Sequence, residues 1–318
     1  MALSLVLTSF VFPRDALAAD DSQKTQPIAV ESKETSSPSE FEKTLLTADI
    51  VVSEWLNQRA TDMDLFLIGK KLTDRPNETS LRVENSTYYS QPTGLTDAPS
   101  ISARLHLPNV EQYWSLKFTT YDENTERTVQ QSQLRQSPRQ TNYGATLGVA
   151  DKLGDVNTAF QPRIQLQDPL KISHSLSFSS TADMKKYTIH PKFEFYADAD
   201  RGAGMFQSIN FRFNLTDIYT LTEINEGDYV DRQHAYSVSN GLALNQKITG
   251  KSSFTYSFFA NSNNRDNYHL EAYHLAVSWY QNVYRKILEY SITPQLNFER
   301  TVGFEGVPAI AVNVGLNF

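Results

Sequence analysis

Few residues in this chain have the type and spacing that chemistry needs. A hydrolase built on a strand requires a base within hydrogen-bond reach of its nucleophile, which positions i and i+2 on one face supply. Ser239-Asn240-Gly241 could serve as such a nucleophile segment, and the nearest preceding histidine is His234. Their offset is odd, so a regular strand sends the two side chains to opposite faces. His174 stands among Ser173, Ser175 and Ser177, each an odd step away, and fails on the same ground. Asp228, Asp231 and His234 gather near one expected loop, and Arg265, Asp266 and His269 near another. An Asp/His peptide hydrolase could use such groups, but charged loop tips are ordinary. Asp198 and Asp200 alternate as calcium ligands do, without the third carboxylate or the spacing of a calcium loop. There is no phosphate loop, dinucleotide fingerprint or HExxH sequence, so no catalytic residue, cofactor or metal is expected.

The elements that would hold these residues are strands. From about residue 79 apolar side chains recur at every second position. Ile101, Ala103, Leu105 and Leu107 alternate with Ser102, Arg104 and His106, and Trp114, Leu116 and Phe118 with Ser115, Lys117 and Thr119. The same period runs through Ile209/Phe211/Phe213 and Tyr273/Leu275/Val277/Trp279 to the last residue. A soluble sandwich alternates in this way too. These runs, however, are about 9–14 residues long, against about 5–6 for soluble strands and 9–11 for membrane strands. The polar face carries full charges, which suit a watery lumen and not a dry core. Arg82, Glu84, Arg104, His106, Lys117, Lys192, Glu194 and Arg212 are the expected lumen-lining residues.

Connections alternate between short (108–111, 216–218, 246–250, 282–285) and long (90–99, 122–140, 224–232, 261–267), as periplasmic turns and external loops do. The polar segment 122–140 is expected to be the main external loop. Tyr88-Tyr89, Tyr113-Trp114 and Trp279-Tyr280 lie near strand ends and suit interface girdles. The fold expected is all-β: a transmembrane antiparallel up-and-down barrel of about 12–14 strands. The segments 159–167, broken by Pro162, and 219–225 are the weakest strands.

Composition agrees. Tyr 16 and Phe 18 are high and cysteine is absent, which excludes disulfides, thiolate metal sites and a cysteine nucleophile. A net charge of -7 disfavours nucleic acid as a partner. Mean hydropathy of -0.44 suits a barrel, because only alternate strand residues meet lipid.

Ahead of the strands, 2–12 form an apolar core and Ala16-Leu17-Ala18 a cleavage site, predicting a signal peptide over 1–18, although no Lys or Arg precedes the core. Segment 19–40 is polar and predicts a disordered periplasmic linker. Ser39 and Glu42 have capping-box form, and Phe41, Leu45, Ala48, Val52 and Trp55 mark one helix face to about residue 60. A further lead-in runs through 61–72.

The final strand, VPAIAVNVGLNF, places Ile310, Val312, Val314, Leu316 and Phe318 on one face, with Phe318 terminal. It resembles the β-signal read by the outer-membrane assembly machinery. With SEWLNQRATDMDLFLIG, RLHLP, Gln167-Asp168-Pro169 and SWYQNVYRKILEYSITPQLNFER, most of 50–318 is similar to a family of proteobacterial outer-membrane β-barrel proteins without an assigned activity. Where that family has a Trp-containing run, this chain has Ile-Leu-Glu-Tyr at 287–290. The resemblance implies fold and location: export to the outer membrane of a Gram-negative bacterium, with outer-membrane lipid and the assembly machinery as partners. The functions expected are, in order, a narrow passive channel for small solutes or ions, a closed barrel that anchors a periplasmic arm or displays loops, and a lipid or peptide hydrolase.

Overall fold

The computed structural model describes residues 39–68, 79–106, 114–121, 126–135, 141–265 and 267–318. The expected signal peptide and nearly all of the linker lie outside them.

Helix α1 (Glu40–Ile68) opens on the predicted capping box. Glu42 N–H donates to Ser39 Oγ at 3.2 Å and Ser39 N–H to a Glu42 carboxylate oxygen at 2.8 Å. The helix continues past residue 60 and takes in the apolar cluster at 65–68. Its buried stripe is Leu56 and Ala60, with Leu45, Ala48 and Val52 half-buried, while Phe41 and Trp55 are exposed. The contact face is therefore rotated from the predicted one. No described helix is long and apolar enough to cross a membrane.

Fourteen strands close into one antiparallel ring. In chain order they are β1 (Ser80–Ser90), β2 (Gly94–His106), β3 (Trp114–Tyr121), β4 (Thr141–Leu153), β5 (Val156–Gln165) and β6 (Lys171–Ser179). A two-residue β7 (Ala182–Asp183) only flanks the ring. Then come β8 (Tyr187–Asp198), β9 (Gly202–Asn214), β10 (Tyr219–Val230), β11 (Ala235–Lys247), β12 (Ser252–Asn263), β13 (His269–Tyr284), β14 (Leu288–Glu299) and β15 (Gly306–Asn317). Neighbours in sequence are neighbours in space, β6 pairs with β8, and β1 pairs with β15 to complete the circle. Helix α1 lies against β1 and β2.

Both weak segments are full strands, β5 and β10. Proline 162 has no N–H to give the ladder, and the β4–β5 pairing is interrupted between Arg163 and Phe160 without a change of register.

Burial alternates along each strand. Ile101, Ile172, Leu275, Val277, Ile310 and Val314 are exposed on the outer face. Glu84, Arg163, Glu194, Glu226, His274 and Gln295 are buried on the inner one. Apolar outside and polar inside is the inverse of a soluble core, and it makes the ring a transmembrane barrel. Adjacent aromatics necessarily face opposite ways. Tyr89 and Trp279 look outward, while Tyr88 is buried inside and Tyr280 donates to Glu289 at 2.7 Å. Each of these pairs therefore gives the girdle one ring, not two.

The first and last strands start and end at one rim, the terminal rim. The predicted long connections all fall on the opposite rim, but strand extension shortens them: β1–β2, β10–β11 and β12–β13 are joined by 91–93, 231–234 and 264–268. The exception lies in segment 122–140, whose described part, 126–135, does not stay outside.

Candidate functional site

The described part of that segment, 126–135, folds into the lumen. Its sequence ERTVQQSQLR contains two apolar residues and a capping box, and it forms helix α2 (Val129–Leu134). Thr128 Oγ1 accepts from Gln131 N–H at 3.2 Å, and Gln131 Oε1 accepts from Thr128 N–H at 3.2 Å. Arg135 ends the helix in the left-handed region, φ 49°, donating its N–H to the Gln131 carbonyl.

Helix α2 is fastened to the far wall. Leu134 is buried against Ile224, Ala243, Phe259 and Ala276, an apolar floor on β10–β13 within a polar lumen. Burying a leucine stabilises by about 2–3 kcal/mol. Gln295 donates to the Leu134 carbonyl at 2.5 Å, Val129 N–H donates to Glu226 at 2.9 Å, and Ser239 Oγ donates to Gln130 at 3.4 Å. Two arginines bracket the helix. Arg127 pairs with Glu194 at 3.2 Å, both side chains about 6% exposed, and its guanidinium lies 3.6 Å over the Tyr196 ring. Arg135 pairs with Glu126 at 2.6 Å and Glu84 at 3.4 Å.

This bar leaves a cavity on each side. Toward the terminal rim, about 230 Å³ is lined by Arg82, Glu84, Arg135, Tyr280 and Glu289. Toward the opposite rim, about 450 Å³ is lined by Arg127, Arg201, Glu226, Asp228 and His274. A groove of about 580 Å³, lined mostly by outward residues such as Phe193, Ile209 and Val238, runs along the outer wall and is a lipid-facing feature.

The predicted lumen residues separate into groups. Arg82 donates to Glu84 at 2.8 Å and to Glu289 at 2.5 Å, and Glu84 also meets Arg135. Lys192 pairs with Glu194 at 2.7 Å, so one carboxylate holds both Lys192 and the bar's Arg127. Arg104 and Lys117 stand directly opposite each other on β2 and β3. Arg212 is on the inner face of β9, across from Thr188 and Thr222. His106 ends β2. At the closing strand, Ile310, Val312, Val314 and Leu316 share the outward face, and Phe318 exchanges backbone hydrogen bonds with Leu81 at 2.8 and 2.9 Å.

The candidate chemistry does not assemble. His234 lies in a turn with φ 46°, away from Ser239 in the lumen. His174 faces outward beside Phe160, with ring centroids 6.4 Å apart. Asp198 accepts from the backbone N–H groups of Asp200 and Arg201 at 2.8 Å, and Asp200 pairs with Lys171, so both carboxylates build a turn. Asp228 is held by Tyr196 at 2.7 Å and Arg201 at 2.6 Å. Among the described residues no three potential ligands meet in a metal cluster.

Sequence reasoning missed Arg127, Gln130, Leu134 and Arg135. The available signal was Thr128-x-x-Gln131 followed by a lone leucine in a polar loop: a capped turn of helix with something to bury.

No family model matches the chain, and no curated protein matches it. The family resemblance read from the sequence thus gains no model behind it. Solved structures of similar outline exist. The outer membrane channel DcaP of Acinetobacter baumannii aligns with TM-score 0.48 at 6% identity over 76% of this chain and 97% of that one. OmpF of Salmonella typhi gives 0.47 at 5% identity over 76% and 98%. A loop-deleted OmpT of Vibrio cholerae, an outer membrane protein, gives 0.46 at 5% identity over 76% and 99%.

Proposed function

We propose that this barrel is a narrow passive channel for small solutes or ions in the outer membrane of a Gram-negative bacterium. In this reading the terminal rim is periplasmic. The observation that carries it is the inserted segment 126–135, which leaves a cavity on each side of itself in a charged, polar lumen. A barrel serving only as an anchor would gain nothing from a polar bar with cavities on both sides. Outer-membrane lipid covers the apolar belt, and β15 presents its outward apolar row to the assembly machinery. The pairing of Ser239 with His234 as a hydrolase site has no support among the described residues, since Ser239 is engaged by Gln130.

Planar-bilayer recording of the folded protein tests this. Discrete salt-dependent steps are expected. Leu134→Ala, which loosens the bar, should raise single-channel conductance or make it noisy. Insertion without steps in both proteins would overturn the channel and favour the closed anchoring barrel. The Arg135–Glu84–Arg82–Glu289 chain of pairs is the specific observation on that side.

A further inference from the structure

The apolar belt is broken on one wall. On β9, β10 and β11 the outward row carries Gln207, Glu223, Asn225 and Asn240. The outward Tyr219 and Tyr229 stand near the two ends of β10, as girdle residues do, and Glu223 and Asn225 lie between them. Asn240 is directly opposite Asn225 on the neighbouring strand, so the two share one depth. Side chains at that depth on a lone barrel meet hydrocarbon, which offers a polar group no hydrogen bond. Part of this polarity is used within the wall. The Asn225 amide donates to the Ile209 carbonyl at 3.3 Å and to Glu223 at 3.4 Å, and the Gln207 amide to the Tyr236 hydroxyl at 2.6 Å. Among the described residues the exposed Asn240 side chain has no hydrogen-bond partner, Asn225 Oδ1 accepts nothing, and no cation pairs with Glu223. Gln207, Asn225 and Asn240 all line the outer-wall groove of about 580 Å³. A second outer groove, about 530 Å³ on the β10–β14 wall, presents Leu242, Phe258, Leu275 and Leu296, which acyl chains cover well. Acyl chains would leave the amides of the first groove without partners.

The unused groups divide by strand. β10 offers acceptors, Asn225 Oδ1 and the Glu223 carboxylate, and β11 offers the two amide hydrogens of Asn240. A two-fold axis along the membrane normal, passing between β10 and β11, sets β10 of one barrel against β11 of another at equal depth. A surface so arranged is its own complement. We propose that the β9–β11 wall is the contact between two copies of this chain in the membrane, with Asn240 of each copy donating to Asn225 of the other beside Glu223. Such side-chain hydrogen bonds join membrane segments because lipid cannot compete for them. The apolar sides of the groove, Phe193, Ile209 and Val238 among them, pack against the partner. Pairing of this kind needs only the transmembrane barrel, so it stands or falls apart from conduction.

The chain has no cysteine, so a single introduced thiol reports alone. Gln233→Cys puts it on the exposed β10–β11 turn above the patch, and Gln91→Cys on the exposed β1–β2 turn of the same rim, far round the ring. In lipid vesicles at low protein density, a short bismaleimide should join Gln233→Cys chains into dimers, and Gln91→Cys chains severalfold less. Adding Asn225→Leu and Asn240→Leu should cut the Gln233→Cys dimer severalfold, while heat-modifiable gel mobility reports an intact barrel. Asn240→Leu alone, the gentler change, should cut it by a smaller factor. Equal joining at the two turns, or a dimer that survives both leucines, overturns the pairing and leaves the patch to lipid. A chain that stays monomeric in vesicles but cross-links through Gln233→Cys to a different protein in the intact outer membrane overturns it as well, and gives the patch to that protein.

Discussion

Leu134 and Arg127 do different work for the inserted bar. Truncating Leu134 to alanine opens space under α2 and should cost about 2–3 kcal/mol of its attachment while strand pairing stays as it is. Altered conductance with unchanged heat-modifiability would report that selective loosening. Arg127→Ala strips a buried carboxylate, Glu194, of one of its two cations, and breaking a buried pair costs about 3–5 kcal/mol. Lys192 remains, so the loss should fall at the low end, and Lys192→Ala together with Arg127→Ala should exceed the sum of the single losses in chemical denaturation. At this scale the alternation in the sequence separates one face of a strand from the other, because parity decides it. It was silent on who meets whom: Glu84 and Glu289 join Arg82 from opposite ends of the chain, and that juxtaposition exists only once the ring closes.

Among the elements, the strands were the most legible. A membrane strand must show lipid one row of side chains and water the other, so its period is written into every second residue. The outer row tolerates little. Leu275→Arg, on the lipid face of β13, should cost about 2–4 kcal/mol if it lies near the bilayer midplane, whereas an inward Ser278→Arg should fold and reduce conductance. Folding yields in lipid vesicles distinguish the two. Helix α1 was legible at its start, where two side chains and two backbone groups satisfy one another locally. It was misjudged at its end and on its contact face, because the wall that buries Leu56 and Ala60 is contributed by β1 and β2, outside the helix's own sequence. Loop lengths erred for a related reason. Polar residues near the open rim belong to strands as readily as to loops, so composition overstated 90–99 and 224–232. Polarity points segment 122–140 outward, but the lumenal partners of its described part, 126–135, are polar as well.

For the whole molecule, the even number of strands places the ends of β1 and β15 on one rim, and those two strands meet at a single seam. Leu81 and Phe318 exchange two backbone hydrogen bonds there. Removing Phe318 takes away both, together with the apolar residue that follows β15, so the yield of closed barrel on refolding into lipid vesicles should fall severalfold.

That seam also sets an order of construction. The closing hydrogen bonds need the first and the last strands together, so the ring stays an open sheet until the final residues are available. Apart from Glu84 on β1, which pairs with Arg135, the anchors of the bar belong to β8, β10, β11 and β14, later in the chain than residues 126–135. The bar thus exists before its berth does. It has to lie on the concave side of a growing, still-open sheet and be enclosed as the later strands arrive, like a ship finished inside its bottle.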